Sequence, residues 1–250
     1  DSILAPLTGA QFRVGRGSKD EFSESFGVET ADNHTMGMSL LIQARETDHP
    51  VSFTPPSWAY TFKTDEEMNF KPHNLYAINT NFYWVELGGM QDSIADTEEI
   101  RDELLKIAFG AWDHVKNWGD HGAENWELEW IGFLPGKRES RRYVGDYILN
   151  QNDVEQHPIF EDTVAYGGWQ IDDHLPGGFR MGGYTGSHLQ KRRLTEPYGI
   201  PYRCLYSRNI SNLMFAGRNI SASHIAFSST RVMGTIGVIG QAVGTAAAIA

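Results

Sequence analysis

The chain has 250 residues, 40% of them hydrophobic and 21% charged, enough to bury a substantial core in one large domain or two smaller ones. A formal net charge of −11 argues against nucleic acid and anionic membrane surfaces as partners, while leaving room for a small anion in a locally basic cleft. A single cysteine, Cys204, excludes an internal disulfide framework, a redox disulfide and a multi-cysteine metal site, and leaves the compartment undecided.

In chain order, residues 2–10 read as a short helix closed by Gly9, and 11–16 alternate as a short strand does. A polar loop fills 17–35, and 36–44 is apolar enough for a strand. Prolines 50, 55, 56 and 72 exclude long regular structure from 45–72, leaving brief strands at 51–53 and 58–62. Residues 74–87 alternate and are rich in aromatics, which predicts one or two antiparallel strands around 79–81. The clearest helix is 97–118, where Ile100, Leu104, Ile107, Ala108, Trp112, Val115 and Trp118 recur at helical spacing. Asp96 is its expected cap and Glu99 the capping-box partner.

Further strands are expected at 127–134, within 137–149 after the Pro135-Gly136 turn, at 163–171 and at 198–205. Gly167-Gly168 marks a bulge or a close approach. A glycine-rich loop occupies 174–188. The last forty residues carry a short apolar strand at 213–216 and a polar, serine-rich connection. A long small-residue helix follows from Thr230 to Ala250, with Ser228 and Ser229 as N-cap candidates. Glycines 234, 237, 240 and 244 share a face that admits another backbone or a flat ligand. The plain alternative is a buried structural helix packed through small residues. Its glycines and Gln241 favour a packed core helix over a membrane span.

Four cations fall within six residues at Lys137, Arg138, Arg141 and Arg142, against the charge of the chain as a whole. Such a cluster is either an anion clamp, since arginine holds two oxygens at once, or a solvated run paired with Glu139 and Asp146. His174, beside Asp172-Asp173, and His224, in the connection before the last helix, are the candidates for proton transfer, against surface or structural roles. Arg218 and Arg231 flank that connection and bond either a ligand anion or its own carbonyls. Cys204 is expected to be inert. His114 and His121 lie seven apart across a helix end and a glycine, and no histidine pair shows a recognisable ligand spacing, so no metal is expected.

The segments AGR (216–218), STRVMG (229–234) and GQAVGTAAA (240–248) resemble the carboxy-terminal signature of FAD-dependent oxidoreductases with a glutathione-reductase-like flavin domain. GAQFRVGR (9–16), ADNHTMG (31–37), DTEEIRDELL (96–105), GFLPGKRESRRYVGDYIL (132–149), VAYGGWQID (164–172) and YGIPYRCLY (198–206) resemble it in the same order. The resemblance implies FAD as cofactor and a last helix whose N-terminus faces the pyrimidine end of the isoalloxazine. It implies cofactor contacts from Asp1, Gly217, Arg218, Thr230, Arg231, Val232, Met233 and Gly234. Arg138, Arg142 and Tyr143 would meet substrate, and His224, His174 and Arg141 would be catalytic.

The implied fold is α+β: a mainly antiparallel substrate domain, 26–205, flanked by pieces of a Rossmann-like FAD-binding domain at 1–25 and 206–250. A flavoprotein of this kind opens with a G-x-G-x-x-G turn for the pyrophosphate. None occurs in this chain, because Gly15-Arg16-Gly17 lacks the third glycine and follows no apolar strand. The expectation is therefore the carboxy-terminal part of a longer flavoprotein, whose N-terminal flavin-binding half is a partner together with a small-molecule substrate. Two other readings of the composition are a carbohydrate-binding module with exposed Trp and Tyr, and a lyase acting on acidic polysaccharide through the 137–142 cations.

Overall fold

The computed structural model describes residues 2–76, 82–181 and 194–250. Asp1, the centre of the expected strands at 79–81 and most of the glycine-rich loop lie outside the described residues. The chain is α+β, with short antiparallel sheets, and divides into two compact units. One contains 1–35, 138–173 and 187–250, the other 36–137 and 174–186. The boundaries thus differ from the expected ones. Residues 26–35 and 138–173, placed in the substrate domain by sequence, pack with the two chain ends, because the 142–143 strand pairs with the one at 12–13.

In the first unit, α1 (Leu4–Thr8) is closed by Gly9 in the left-handed region, as its sequence predicts. β1 (Phe12–Arg13) pairs with β7 (Arg142–Tyr143) in the register Phe12↔Tyr143. Tyr143 is buried and stacks on Phe215, so that Ala5, Ala10, Tyr143 and Phe215 form a small core. α2 (Lys19–Phe22) is one turn. α4 (Gln151–Gln156) opens on a capping box: Asn150 accepts from Asn152 N–H and Asp153 accepts from Asn150 N–H. Sequence reading missed this helix, although Asn150 and Asp153 stand at the right spacing.

β8 (Thr163–Gly167) pairs antiparallel with β9 (Tyr198–Pro201). Gly167 is required there: a Cβ would fall 2.3 Å from the Tyr198 ring. Residues 202–204 form a 3-10 turn rather than more strand, and 213–216 contribute only an isolated bridge, Met214 to Tyr206. The buried carboxylate of Glu24 accepts from Gln151 N–H, at 2.8 Å, and from the Ser223 hydroxyl.

The second unit is built on α3 (Thr97–Asn117). Its Ile100, Leu104, Ile107, Ala108, Ala111 and Val115 are buried against Met38, Leu40, Trp84, Val85, Leu87 and Phe179. Each buried Ile, Leu or Val side chain among them contributes about 1.5–3 kcal/mol. The expected capping box at Asp96 does not form, because the Asp96 carboxylate turns back to accept from Asp92 N–H. Gly110 lets the 60–62 segment cross the helix, as a Cβ would sit 2.5 Å from the Tyr60 carbonyl oxygen. The expected strand at 36–44 divides into β2 (Met38–Ser39) and β3 (Ile42–Glu46). β2 lies between β4 (Glu86–Leu87) and β6 (Gly136–Lys137). β3 pairs with β5 (Trp126–Ile131) around a bulge at Gln43/Ala44.

The carboxy-terminal helix differs most from expectation. α5 (His224–Thr230) occupies what reads as a polar connection, and α6 (Met233–Ile249) starts three residues later than Thr230, after a 92° bend. Ser223 caps α5 by accepting from Ala226 N–H. Ser228 and Ser229 are therefore interior positions: Ser228 donates to Ile225 O, and Ser229 donates to Trp169 O while accepting from Tyr198. The serine content that suggests a loop is the means by which a buried helix bonds its surroundings. Among the described residues no single helix is long and apolar enough to cross a membrane.

Candidate functional site

Four residues from distant parts of the chain converge in the first unit. His224, the first residue of α5, is 3% exposed and lies between two carboxylates. Its Nδ1 is 3.0 Å from Glu139 and its Nε2 2.8 Å from Asp173. Glu139 also accepts from Arg142 Nη1, and the same guanidinium donates to Ala222 O at 3.0 Å and Gly15 O at 2.6 Å. Burial by itself lowers the His224 pKa. The two carboxylates outweigh it and push it up to about 10, so the ring is an imidazolium at neutral pH and donates from both nitrogens. A ring in that state holds its proton rather than accepting one, which makes His224 a cationic fastener of α5.

The other sequence candidates fall in several places. Arg142 and Tyr143, expected against substrate, are buried: Arg142 in the pair just described and Tyr143 on Phe215. Both alternate along β7, whose two faces are covered. Thr230 is buried at the end of α5, and Arg231 donates to Asp172 O at 2.9 Å and to its carboxylate at 3.2 Å. His174 belongs to the second unit, where Nδ1 lies 2.9 Å from Glu86 Oε2. Asp1 lies outside the described residues. Arg138 is partly exposed.

Arg141 and Arg218 do come together. They line an open cavity of about 200 Å3 with Ser2, Ser140, Ala216, Gly217 and Asn219. Gly217 has φ +128, a conformation that a side chain rarely adopts, and it turns the chain so that Arg218 enters the recess. Burial lowers the Arg218 pKa from a value far above neutrality, and the guanidinium stays charged. A second recess, of about 300 Å3, contains Arg13 and Arg16, but Glu21 and Asp32 neutralise them.

α6 is apolar all round, yet only Thr235 and Ile239, on the side that meets β8, are buried. Met233 at its start is 89% exposed. A Cβ built on Gly234, Gly237, Gly240 or Gly244 meets nothing within 4 Å among the described residues. Val232 supplies no side-chain cap, so the first turn presents backbone N–H groups on an open face. A helix of this composition is normally covered on every side. The open glycine face suits a flat aromatic ring, and the uncapped N-terminus suits a partially negative oxygen. These residues fit a flavin.

The family model described as FAD dependent oxidoreductase matches residues 1–250. The chain belongs to the FAD-dependent oxidoreductase family. FAD is the cofactor of this family in its complete form, and flavin-dependent oxidoreduction is its chemistry. Comparison with curated proteins and with solved structures gives no match. The carbohydrate-binding and lyase readings of the sequence receive no support from the family of oxidoreductases to which the chain is assigned.

Proposed function

We propose that this chain supplies the substrate-binding part and the flavin-facing carboxy-terminal helix of an enzyme that oxidises or reduces a small substrate bearing a carboxylate or derived from a sugar. The observation that carries the reading is the open face of α6: an apolar, glycine-lined helix with its N-terminus uncapped and exposed. Its remaining surface is covered by the flavin-binding, Rossmann-like half of the same protein. FAD, when bound, would supply two-electron chemistry of the hydride-transfer class.

The chain's own residues bind and orient. Met233 and Gly234, with the N–H groups of the first turn of α6, would hold the polar edge of the flavin. Gly217 and Arg218 would hold an anionic portion of the cofactor. Arg141, in the same recess, and Arg138 orient the substrate anion. Arg142, Glu139, His224 and Asp173 fix α5, and through the 231–232 bend they fix the start of α6.

The test is Gly237→Leu in the complete flavoprotein. Within this chain a Cβ at position 237 meets nothing within 4 Å, so a thermal midpoint of the apoprotein within a few degrees of wild type is the control that separates a loss of flavin from a loss of fold. Flavin retained after gel filtration should fall at least about tenfold, the loss of one ring contact worth about 1.4 kcal/mol. Equal flavin retention by wild type and variant would refute the placement.

A further inference from the structure

A second site stands in the other unit, apart from anything the flavin reading uses. Asp65, His73, His114 and His121 each point one ligand atom inward, and the four atoms lie within 4.8 Å of one another. The rings of the three histidines are 4.6–5.1 Å apart between centroids.

Hydrogen bonding fixes two of the tautomers. His114 Nδ1 is 2.9 Å from the Phe62 carbonyl and His73 Nδ1 2.7 Å from the Lys71 carbonyl. A carbonyl only accepts, so both Nδ1 atoms carry a proton, and in the neutral ring both Nε2 atoms present a lone pair. Those lone pairs face Asp65 Oδ1, at 3.1 Å from His114 and 3.7 Å from His73. Lone pair against carboxylate is repulsive unless a cation lies between them. His121 adds a third: its Nε2 is buried and has no hydrogen-bond partner.

One divalent cation answers all four atoms together.

We propose that Asp65, His73, His114 and His121 bind one divalent transition-metal ion, with Zn2+ the ion that this three-imidazole, one-carboxylate set fits best. Three neutral imidazoles and a carboxylate are ordinary zinc ligands, and four protein ligands close the tetrahedron, as in structural rather than catalytic sites. Zinc bonds of about 2.0–2.1 Å place tetrahedral ligands about 3.3–3.4 Å apart, so the widest pairs draw in by side-chain rotation. The backbone carbonyls on His73 and His114 are the outer partners that zinc histidines commonly have.

The ligands come from three segments: a run of turns at 64–76, the last turns of α3 and the loop after it. Gly119, at φ +139, and Gly122, at φ +63, bring that loop back toward the helix. A Cβ at Gly119 would sit 2.8 Å from His121 Nε2, so the glycine also leaves room for the ring. The ion would tie the 64–76 turns to α3 with no disulfide. The sequence expectation of no metal rested on local ligand spacing, which this site does not use.

Asp65→Ala is the first variant for the test, because Asp65 is surface-exposed and its loss leaves the core intact. His121→Ala is the second. The purified protein is stripped with chelator, its Zn2+ uptake is measured by elemental analysis and calorimetry, and Co2+ is substituted as a visible reporter of tetrahedral geometry. Wild type is expected to bind one equivalent, to gain several degrees in thermal midpoint with Zn2+, and to show the ligand-field bands of tetrahedral Co2+. Loss of outer partners alone costs about 10- to 100-fold in affinity. Each variant should therefore bind more than about 100-fold more weakly and lose the Zn2+-dependent gain. Absence of a bound equivalent in wild type, or wild-type binding by both variants, would overturn the proposal.

Discussion

Replacing His224 by glutamine tests the charge network under α5. The imidazolium is held between Glu139 and Asp173 and its pKa is raised from 6.5 to about 10. That rise corresponds to roughly 4–5 kcal/mol of stability. Because the folded value lies above the unfolded one, the contribution is complete below about pH 6.5. It declines by about 1.4 kcal/mol per pH unit as pH rises toward 10, where the folded ring finally loses its proton. Lys71 runs the other way. Burial lowers its pKa to about 8, against the pull of Glu86, so folding gains stability between about pH 8 and 10.5 as the unfolded ammonium deprotonates later than the folded one. The readout is therefore the difference between wild type and His224→Gln, in which Lys71 cancels. Urea unfolding at half-unit steps from pH 6 to 10 supplies it. The gap should be about 3–5 kcal/mol near neutrality, the cost of breaking a buried ion pair, and should shrink toward zero near pH 10. Parallel curves for the two proteins across that range would refute the imidazolium assignment.

Glu139→Gln leaves both His224 and Arg142 buried beside a neutral amide, and should cost about 3–5 kcal/mol, seen as a thermal midpoint lower by many degrees. Gly178→Ala meets two obstacles at once, φ +54 and a Cβ only 2.1 Å from the Glu86 carbonyl oxygen. It should lose about 2 kcal/mol or more by calorimetry, where an ordinary glycine-to-alanine change in open helix would gain up to about 1.

What could be read from the sequence was what is local. The face of α3 is written in residues three and four apart, and six of the seven apolar positions named it correctly, Trp118 falling just past its end. Gly9 announced the end of α1 in the same way. The strands were harder, because β2 and β3 share one apolar run that breaks where the pairing partner changes from β4 and β6 to β5. α5 was hidden because serines at 223, 228 and 229 are loop-formers by propensity, and their bonds, from Ser223 to Glu24, from Ser228 back to Ile225 O within the helix and from Ser229 to Trp169 O and Tyr198, appear only in the fold. The cation cluster at 137–142 was visible as composition. Its division was not: Arg142 is sequestered by Glu139 and two carbonyls, while Arg141 reaches the cavity that Arg218 shares. No local pattern could reveal that His224 would find Glu139 and Asp173, 85 and 51 residues away. The family resemblance, carried by short motifs along the whole chain, reached further than any of these readings.

The carboxylate of Glu24 touches the opening residue of α4 and the cap of α5, partners 127 and 199 positions further along. Burial raises its pKa against the pull of those donors. One early side chain thus acts as a common keystone for two late helix beginnings, and acid that neutralises it would loosen both at once. A change at position 24 would be felt at two distant helix starts together, so the chain's first stretch sets the footing of its last.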